Sequence, residues 1–392
     1  MNDSPRVTAR QIAAFRLRAH HLQERGTLDR LPSIVSDMGG AQAQVISAAE
    51  SSLWARTADL TTDDIARALW EDRSLARAWA MRRTLFLLPA RDLAIFLRGS
   101  ARRAEKELRW MRNRGVPGEE LDRAIAATLD ALDSPRTSDD LAREIADRNR
   151  GTVRRRPTGG GWGNRRPIPW VRLGSVNVPV GYLLHLAGAR GDVCSGPGVG
   201  SRSTYVRADA WIPHYRSVSQ SRAEGELLRR YLRSFGPARP EDFVAWTRVR
   251  LRDAREIWAT IAPELVEVRT PARQAWLLRE DVEDLLSDPP SDDETRLLPH
   301  FDSYLLGHDE RAHLAEVQHH GRIYRAAGWV APSVLDRGRV VGTWEHRAVR
   351  GRSTVQVRPF RPLGERIKRE IRAEAGDFAR FRGLEPGSVR FG

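Results

Sequence analysis

Two glutamines near the start of the chain, Gln42 and Gln44, are side chains whose type and spacing could serve a reaction. Each amide has an acceptor oxygen that can orient a water and an NH₂ group that can bond a phosphate or sugar oxygen. Residues two apart on a regular helix point about 200° apart, so both can face one water only at an irregular helix start. The preceding Gly39-Gly40 makes such a start feasible. Taken alone, the residues favour a plainer interpretation, in which both glutamines are exposed polar groups in a first helical turn.

The net charge of the chain indicates the kind of partner that it binds. Its 392 residues carry a formal charge of +14. A strongly basic protein attracts polyanions, and DNA or RNA is the first candidate.

Composition and length exclude several classes of protein. With 41% hydrophobic and 30% charged residues, the chain is typical of a soluble globular protein of two or three domains. It has no apolar run of the roughly 18 residues that a membrane helix needs, and its N-terminus lacks the apolar core of a secretory signal. We therefore expect a cytoplasmic protein without a membrane segment. Cys194 is the only cysteine, which excludes an intrachain disulfide and a cysteine-based zinc site.

A short motif recurs along the chain and predicts three helix starts. Residues Thr61–Arg67 return as Thr137–Arg143, and a looser third copy spans Arg239–Trp246. In each copy a hydroxyl residue or a proline comes first, acidic residues fill the first turn, and apolar residues follow at helical spacing. Each copy also follows a predicted amphipathic helix that is longer than the copy itself. Segments that alternate between apolar and polar residues, as β-strands do, come after each copy. After the first copy, this alternation predicts a single strand within 76–89.

This order of elements is the layout of a winged helix, and it predicts an α+β fold. We expect three tandem winged-helix motifs followed by a C-terminal β-rich element, which together form a curved basic scaffold for DNA. A break in composition over 287–293 predicts a linker before the last element. The predicted domains are 8–100, 117–212, 222–285 and 294–392. The last contains a predicted hairpin around Arg350-Gly351-Arg352 and a terminal helix over about 363–382.

Several motifs, taken together and in their order along the chain, resemble those of a known family. This family is the bacterial winged-helix DNA glycosylases of the AlkZ and YcaQ type, which unhook interstrand crosslinks. The resemblance covers nearly the whole chain. Its marks are Gly39–Gln44, Trp79–Leu85, Tyr205 through Pro213, Tyr231-Leu232 with Phe235–Pro237, Leu297–Gly307 and Gly342–Glu345.

The resemblance implies which residues are catalytic. The catalytic element of the family is a glutamine, one apolar residue, and then a glutamine or an aspartate. Gln42 and Gln44 match the glutamine form, which is that of the AlkZ-like branch. One departure is Phe86, where many relatives would be expected to have a histidine.

The resemblance also implies the reaction: a monofunctional DNA glycosylase that hydrolyses the N-glycosidic bond of N7-alkylated purines in double-stranded DNA, including bulky adducts and interstrand crosslinks. Such an enzyme would serve base excision repair or self-resistance to a genotoxic natural product. Lyase activity usually needs a lysine or terminal amine, and the only lysines are Lys106 and Lys368, both in highly charged segments. We therefore expect no lyase activity. We also expect no cofactor and a monomeric protein.

Two groups of arginines are candidates for DNA contact. A basic, glycine-rich wing carries Arg154, Arg155, Arg156, Arg165 and Arg166. Its alternative interpretation is a solvated loop, and it lacks the lysine of a nucleotide-binding P-loop. The predicted hairpin carries Arg347, Arg350 and Arg352, which could lie along or in the minor groove; the alternative is an ordinary surface turn. Phosphate contacts of this kind give affinity and salt dependence without specificity.

The densest histidine cluster lies between His300 and His320 and also contains Asp302. Its spacings match no standard zinc pattern, so we expect no metal. We expect Asp302 and His308 to make structural hydrogen bonds, with a catalytic role for Asp302 as the alternative.

Two other functions fit part of the sequence. The alternative to a glycosylase is a non-catalytic winged-helix DNA-binding protein or transcription regulator, since only the glutamine pair separates the two. An RNA-binding protein is the third candidate, which the absence of an RNP-type aromatic motif disfavours.

Overall fold

The structure, a computed structural model, describes residues 4–148, 153–156, 168–189, 193–200, 202–288 and 294–392. The helices of these ranges are α1 Ala9–Ala19, α2 Leu31–Asp37, α3 Ile46–Trp54, α4 Thr62–Trp70, α5 Leu93–Gly99, α6 Glu105–Asn113, α7 Gly118–Asp130, α8 Ser138–Arg148, α9 Val180–Ala189, α10 Ala208–Trp211, α11 Gln220–Phe235, α12 Pro240–Thr247, α13 Leu251–Thr260, α14 Val282–Leu286, α15 His320–Ile323 and α16 Glu365–Phe381.

The strands are short and fall between the helices along most of the chain. They are β1 Ala41–Gln42, β2 Leu75–Trp79, β3 Leu85–Pro89, β4 Arg136–Thr137, β5 Val153–Arg156, β6 Ile168–Leu173, β7 Val176–Pro179, β8 Val193–Val199, β9 Arg202–Arg207, β10 Leu265–Arg269, β11 Gln274–Leu278, β12 Thr295–Leu298, β13 Ser333–Asp336, β14 Arg339–Val349, β15 Arg352–Pro359 and β16 Glu385–Phe391. The predicted α+β class is therefore confirmed.

The three predicted helix starts are confirmed, and all three share one hydrogen bond. The backbone N–H of Thr61 donates to Asp64 Oδ2 at 3.0 Å, and that of Thr137 donates to Asp140 Oδ2 at 3.0 Å. The N–H of Arg239 makes the same bond to Asp242 Oδ2, also at 3.0 Å. In the first two copies the threonine hydroxyl accepts a bond in return from the aspartate N–H, which completes a capping box.

The chain divides into two compact units. The first comprises Met1–Arg67, Phe86–Pro89 and Gly225–Gly392, and the second comprises Ala68–Leu85 and Ala90–Glu224. The predicted domain 8–100 contributes to both units. The four predicted domain boundaries therefore stay a prediction.

A five-stranded sheet dominates the C-terminal part of the first unit. Its strand order is β12-β13-β14-β15-β16. The predicted hairpin is present, since β14 and β15 pair antiparallel from Gly342↔Pro359 to Val349↔Arg352. Arg350 and Gly351 form its two-residue turn with φ values of 49° and 75°, as the right-handed twist of paired strands favours. The terminal helix α16 then carries the chain across to β16, which runs parallel to β15.

A second part of the first unit centres on the residues of helix α11 from Gly225 onward. Its residues Leu227, Leu228, Tyr231 and Leu232 are fully buried, as their helical spacing predicts. Tyr231 also contacts the aromatic rings of α12, including Trp246, at a centroid distance of 5.2 Å. This core lies beside the segment that carries the candidate catalytic residues, because the Phe235 and Trp246 rings pack against Gly39.

The second unit has its own core of apolar side chains from α7, α8, α9 and strands β6 and β7. Two three-stranded sheets belong to it, with orders β4-β9-β8 and β5-β6-β7. Strands β8 and β9 pair antiparallel, with Ser195 opposite Tyr205. Burial raises the pKa of the Cys194 thiol to about 12, which keeps this thiol inert.

The prediction of one strand within 76–89 is wrong. The chain forms two strands, β2 and β3, which are separated by a turn at Met81–Arg83. Arg82 and Arg83 adopt positive φ values of 53° and 61° in this turn. The alternation of residue types continues through the turn, so the pattern by itself could not reveal the break.

No helix within the described ranges is long and apolar enough to cross a membrane.

Candidate active site

The two glycines that precede the glutamines end helix α2. Gly39 donates its N–H to Ser36 O at 3.0 Å, and Gly40 donates to Val35 O at 2.8 Å. These are the two bonds of a Schellman motif, in which a residue with positive φ stops a helix. Both glycines have positive φ, 72° and 83°. The glycines therefore turn the chain sharply out of α2, and the candidate catalytic segment begins at this turn.

The segment beyond the glycines is extended, which differs from the predicted helix start. Ala41 and Gln42 form strand β1, and Gln44 lies in a bend before α3 begins at Ile46. The 200° separation of a regular helix does not apply to such a backbone. Gln42 is buried with 6% exposure, and Gln44 is partly exposed. The interpretation of both glutamines as exposed groups in a first helical turn is therefore wrong.

Strand β1 pairs antiparallel with β3, so that Gln42 is directly opposite Phe86. Side chains directly opposite each other in a strand pair project from the same face, with Cβ atoms about 4.5–5.5 Å apart. Phe86 is buried with 1% exposure. Phe86, the position at which many relatives are expected to have a histidine, is thus the cross-strand neighbour of Gln42. A phenyl ring there can neither accept nor donate a proton, so no acid or base is available from this position.

Close packing fixes the backbone of the turn on both sides. A Cβ atom on Gly39 would lie 3.1 Å from the Phe235 ring and 3.2 Å from the Trp246 ring. A Cβ atom on Gly40 would lie 2.7 Å from Leu88 Cδ2. The Ser303 hydroxyl donates to Gly40 O at 2.5 Å. Only glycines fit this turn, and the loop that contains Ser303 holds it in place.

An ion pair buried beneath this segment decides the role of Asp302. Its carboxylate accepts two bonds from the Arg56 guanidinium, at 2.8 and 2.7 Å, and neither side chain is exposed. Ser52 Oγ donates to Asp302 Oδ2 at 2.5 Å, and Tyr304 N donates to Oδ1 at 3.0 Å. A fully enclosed and fully bonded carboxylate cannot reach a substrate. The prediction of a structural role for Asp302 is confirmed, and its alternative as a catalytic carboxylate is wrong.

The sequence analysis did not identify Arg56 and Ser52, the two residues whose side chains bond the Asp302 carboxylate. They lie four residues apart in a mostly apolar stretch, which was the available signal. A buried arginine needs a carboxylate partner, but the sequence does not show that the partner lies 246 residues away.

The predicted histidine cluster is only partly kept in the structure, where His308 and His313 are in contact and the other described histidines have separate partners. His308 Nε2 bonds Phe235 O at 2.9 Å, and His300 Nδ1 bonds Val330 O at 2.9 Å. His319 stacks on Phe360 with ring centroids 4.3 Å apart. The structural role predicted for His308 is confirmed. The described residues contain no group of three or more potential metal ligands.

The start of helix α3 is the most accessible part of the segment. Val45 occupies the N-cap position and provides no side-chain hydrogen bond to the first turn. The next residue, Ile46, is 38% exposed, which is high for a large apolar side chain. Free N–H groups at the start of a helix favour an anion such as a phosphate.

The structure brings the three hairpin arginines together. Arg347, Arg350 and Arg352 are all exposed at the end of β14 and β15, together with Val349 at 54% exposure. Among the described residues, none of the three arginines has a carboxylate within salt-bridge distance. Three cations and an apolar side chain thus share one protruding tip.

The arginines of the glycine-rich wing are only partly described. Arg154 is exposed on β5, opposite Trp170 of β6. The backbones of Arg155 and Arg156 continue this strand, opposite Pro169 and Ile168. Arg165 and Arg166 lie outside the described residues.

Comparison with known proteins identifies the class of protein to which this fold and segment belong. Residues 35–381 match the model of a family described as "DNA glycosylase AlkZ-like". The chain therefore belongs to the AlkZ-like family of DNA glycosylases, which confirms the resemblance inferred from its motifs.

Individual relatives match the chain over nearly its full length. A protein of Streptomyces sahachiroi named "Interstrand DNA cross-link repair glycosylase" is 30% identical over 392 residues, which cover 97% of this chain and 98% of the relative. The solved structure of "Streptomyces sahachiroi DNA glycosylase AlkZ" superposes with a TM-score of 0.80 at 27% identity. It covers 99% of this chain and 100% of the solved one.

Proposed function

We propose that this chain is a monofunctional glycosylase that hydrolyses the N-glycosidic bond of N7-alkylated purines in double-stranded DNA, including bulky adducts and interstrand crosslinks. The observation that carries the proposal is the placement of Gln42: a buried amide, on a strand fixed by two glycines, opposite an apolar side chain. The relative named as a crosslink repair glycosylase supports the crosslink part of the proposal.

A neutral amide pair suits one kind of leaving group. Glycosidic bonds are usually hydrolysed by two carboxylates, one of which protonates the leaving group. A purine alkylated at N7 already carries positive charge, so it departs as a neutral base without an acid. The remaining task is to place a water against the sugar, which Gln42 and Gln44 can do through their acceptor oxygens. Such positioning contributes several kcal/mol. The attacking water releases its proton to solvent, because an amide oxygen can orient the water but is too weak a base to take its proton.

The surroundings of the glutamines suit a DNA backbone. The uncapped start of α3 offers N–H groups to a phosphate immediately after Gln44. The hairpin tip with Arg347, Arg350 and Arg352 would lie along or in the minor groove, with Val349 against the sugars or bases. Arg154, Arg155, Arg156, Arg165 and Arg166 of the wing would add phosphate contacts.

The finer architecture belongs to the same proposal. The shared capping bond at Thr61, Thr137 and Arg239 supports three related helix starts, one in each predicted winged helix. We propose that these winged helices and the C-terminal sheet form a curved basic scaffold around the duplex. A crosslinked base cannot be flipped into a tight pocket, so the lesion would be reached without full base flipping. The protein would act as a cytoplasmic monomer without a cofactor and leave an abasic site.

The proposal is tested with duplex DNA that contains N7-methylguanine and with a duplex that carries an N7-linked interstrand crosslink. The wild type should release the methylated base and unhook the crosslink. The Gln42→Ala/Gln44→Ala variant should lose at least about 10²-fold of the single-turnover rate and keep its affinity for DNA. Gln274→Ala/Gln318→Ala removes two exposed amides and should leave the rate unchanged.

Two outcomes would contradict the proposal. One is the absence of base release by the wild type while DNA binding persists, which would favour a non-catalytic DNA-binding protein. The other is undiminished release by the Gln42/Gln44 variant.

A further inference from the structure

A cavity of about 510 Å³ lies within the first unit, apart from the glutamine segment. It is bounded by α1, by the turn between β10 and β11, and by the loops that contain His308 and Gly338. Neither Gln42 nor Gln44 belongs to its lining. Its volume lies in the range of cavities that bind small organic ligands, about 300–1,000 Å³.

A buried cation that makes no ion pair among the described residues lines this cavity. Arg16 is 7% exposed, and its Nε and Nη2 atoms donate to the backbone oxygens of Gly236 and Pro237 at 3.1 and 3.0 Å. Among the described residues, its third nitrogen, Nη1, has no hydrogen-bond partner, and no carboxylate lies within 4.0 Å of the guanidinium. A guanidinium stays charged in proteins, so a buried one favours an anion beside it.

Neither acidic residue of the lining lies within ion-pair distance of Arg16, although, against the lowering by burial, the charge of Asp242 is near enough to raise the pKa of Arg16. Asp242 accepts backbone N–H bonds from Arg239 at 3.0 Å and from Asp309 at 3.2 Å. Glu310 pairs with Arg273 and lies 3.8 Å from Arg239. Three further arginines, Arg10, Arg337 and Arg339, add positive charge to the lining. The lining therefore contains five arginines and two carboxylates.

The rest of the wall suits a flat apolar body. Small or apolar side chains, among them Ile12, Ala13 and Ala275, form much of the lining. The imidazoles of His308 and His313 meet edge to face at 4.8 Å, and both line the cavity. His308 is 6% exposed, and its Nδ1 atom has no hydrogen-bond partner among the described residues. Burial and the charge of Arg16 lower the pKa of His308, so this ring stays neutral and can face an aromatic ligand.

We propose that this cavity is a binding site for a small aromatic monoanion, with the anionic group on Arg16 and the ring system between the apolar and imidazole walls. The proposal does not depend on the glycosylase activity. Tyr304 and His308 of the lining belong to the loop in which Ser303 holds Gly40. Occupancy should therefore raise the free energy of unfolding of this unit.

The experiment uses two matched probes with the full-length protein. 8-Anilinonaphthalene-1-sulfonate has the ring system and the anion, and N-phenyl-1-naphthylamine has the same rings without the anion. Fluorescence titration should give one saturable site for the sulfonate, at least tenfold tighter than for the neutral amine. Arg16→Gln should weaken sulfonate binding at least tenfold. Arg18→Gln, on the same helix but outside the lining, has the same charge change and should bind as the wild type does.

A second variant keeps the proposal testable if Arg16→Gln does not fold. Ala272→Trp places an indole on an exposed residue of the rim and should reduce sulfonate binding at least tenfold. Ala259→Trp, an exposed alanine outside the lining, is its control. Circular dichroism checks that each variant is folded. Equal affinity for the two probes, or unchanged sulfonate binding by folded Ala272→Trp, would overturn the proposal.

Discussion

Arg56 and Asp302 form a two-bonded ion pair in which neither side chain has any exposed surface. The pair joins the end of α3 to the loop whose next residue, Ser303, bonds Gly40 O. The stretch from Gly40 to Arg56, which contains both glutamines, is thereby held at each end by the loop that contains Asp302 and Ser303. This arrangement indicates that the pair supports the segment on which Gln42 and Gln44 lie.

Removal of one partner of this pair should be costly. Asp302→Leu leaves a buried guanidinium without a counter-charge, and we expect the free energy of unfolding to fall by about 3–5 kcal/mol. The double variant Arg56→Met/Asp302→Leu removes both charges and should lose much less, because no buried charge remains unpaired. Urea unfolding followed by circular dichroism measures both. A double variant that loses as much stability as Asp302→Leu, or more, would contradict the expectation.

The Schellman turn should not tolerate a side chain. Gly40→Ala places a Cβ at positive φ and 2.7 Å from Leu88 Cδ2, and we expect a loss of about 2–4 kcal/mol from backbone strain and overpacking. Gly376→Ala, inside α16, meets nothing closer than 3.9 Å and should stabilise the protein by about 0.5–1 kcal/mol. Thermal and urea unfolding compare the two. If the free energy of unfolding changes in the same direction for both variants, strain at the Gly40 turn does not explain the effect of Gly40→Ala.

The capping aspartates should give stability that depends on pH. The hydrogen bond from the Thr61 hydroxyl lowers the pKa of Asp64 below its usual value. A depressed pKa in the folded state stabilises the protein above the unfolded value of about 3.9, and this contribution is lost as the pH falls through the folded value. Asp64→Ala should therefore cost about 1 kcal/mol at pH 7 and progressively less below about pH 4.

The control for this measurement is Asp63→Ala, which removes an exposed acidic residue from the same first turn. It should cost less at pH 7, because the capping bond stays intact. Unfolding curves between pH 3 and pH 7 give both values. If the free energies of unfolding of the wild type and Asp64→Ala differ by the same amount over this whole range, the pH-dependent capping role of Asp64 is contradicted.

The hairpin tip should contribute to the salt dependence of DNA binding. Arg347→Gln/Arg350→Gln/Arg352→Gln should weaken binding to any duplex and reduce the slope of log K against log salt by about 0.9 for each phosphate that is no longer neutralised. The matched control, Arg252→Gln/Arg361→Gln/Arg380→Gln, has the same charge change. Its arginines are already paired with carboxylates. Fluorescence anisotropy at several salt concentrations measures the slopes; equal slopes for the two triple variants would remove the hairpin from the interface.

Hydrolysis through an amide-positioned water should leave no covalent intermediate. Treatment of a reaction mixture with sodium borohydride should trap no protein–DNA adduct, because this chemistry forms no Schiff base. The abasic product should remain uncut until alkali is added. A trapped adduct, or strand cleavage without alkali, would assign a lyase step and a nucleophilic amine to the protein.

Local patterns in the sequence predicted many of the elements. The helix starts at Thr61, Thr137 and Arg239 depend on hydrogen bonds between residues three apart, so a short motif specifies them. The hairpin of β14 and β15 likewise follows from alternation around a turn. The turn at Arg82-Arg83 was missed, since positive φ at arginine leaves no sign in the residue types.

By itself, the sequence determined the α+β class, the basic charge, the family and the identity of the candidate glutamines, because these depend on composition, local periodicity and the order of short motifs. Only the tertiary structure decided the setting of those residues. It placed Gln42 on a strand opposite Phe86 rather than on a helix, and it enclosed Asp302 against Arg56. Strand pairing and buried ion pairs join residues that are far apart in the chain, and packing of the whole unit selects the partner among many residues of suitable type.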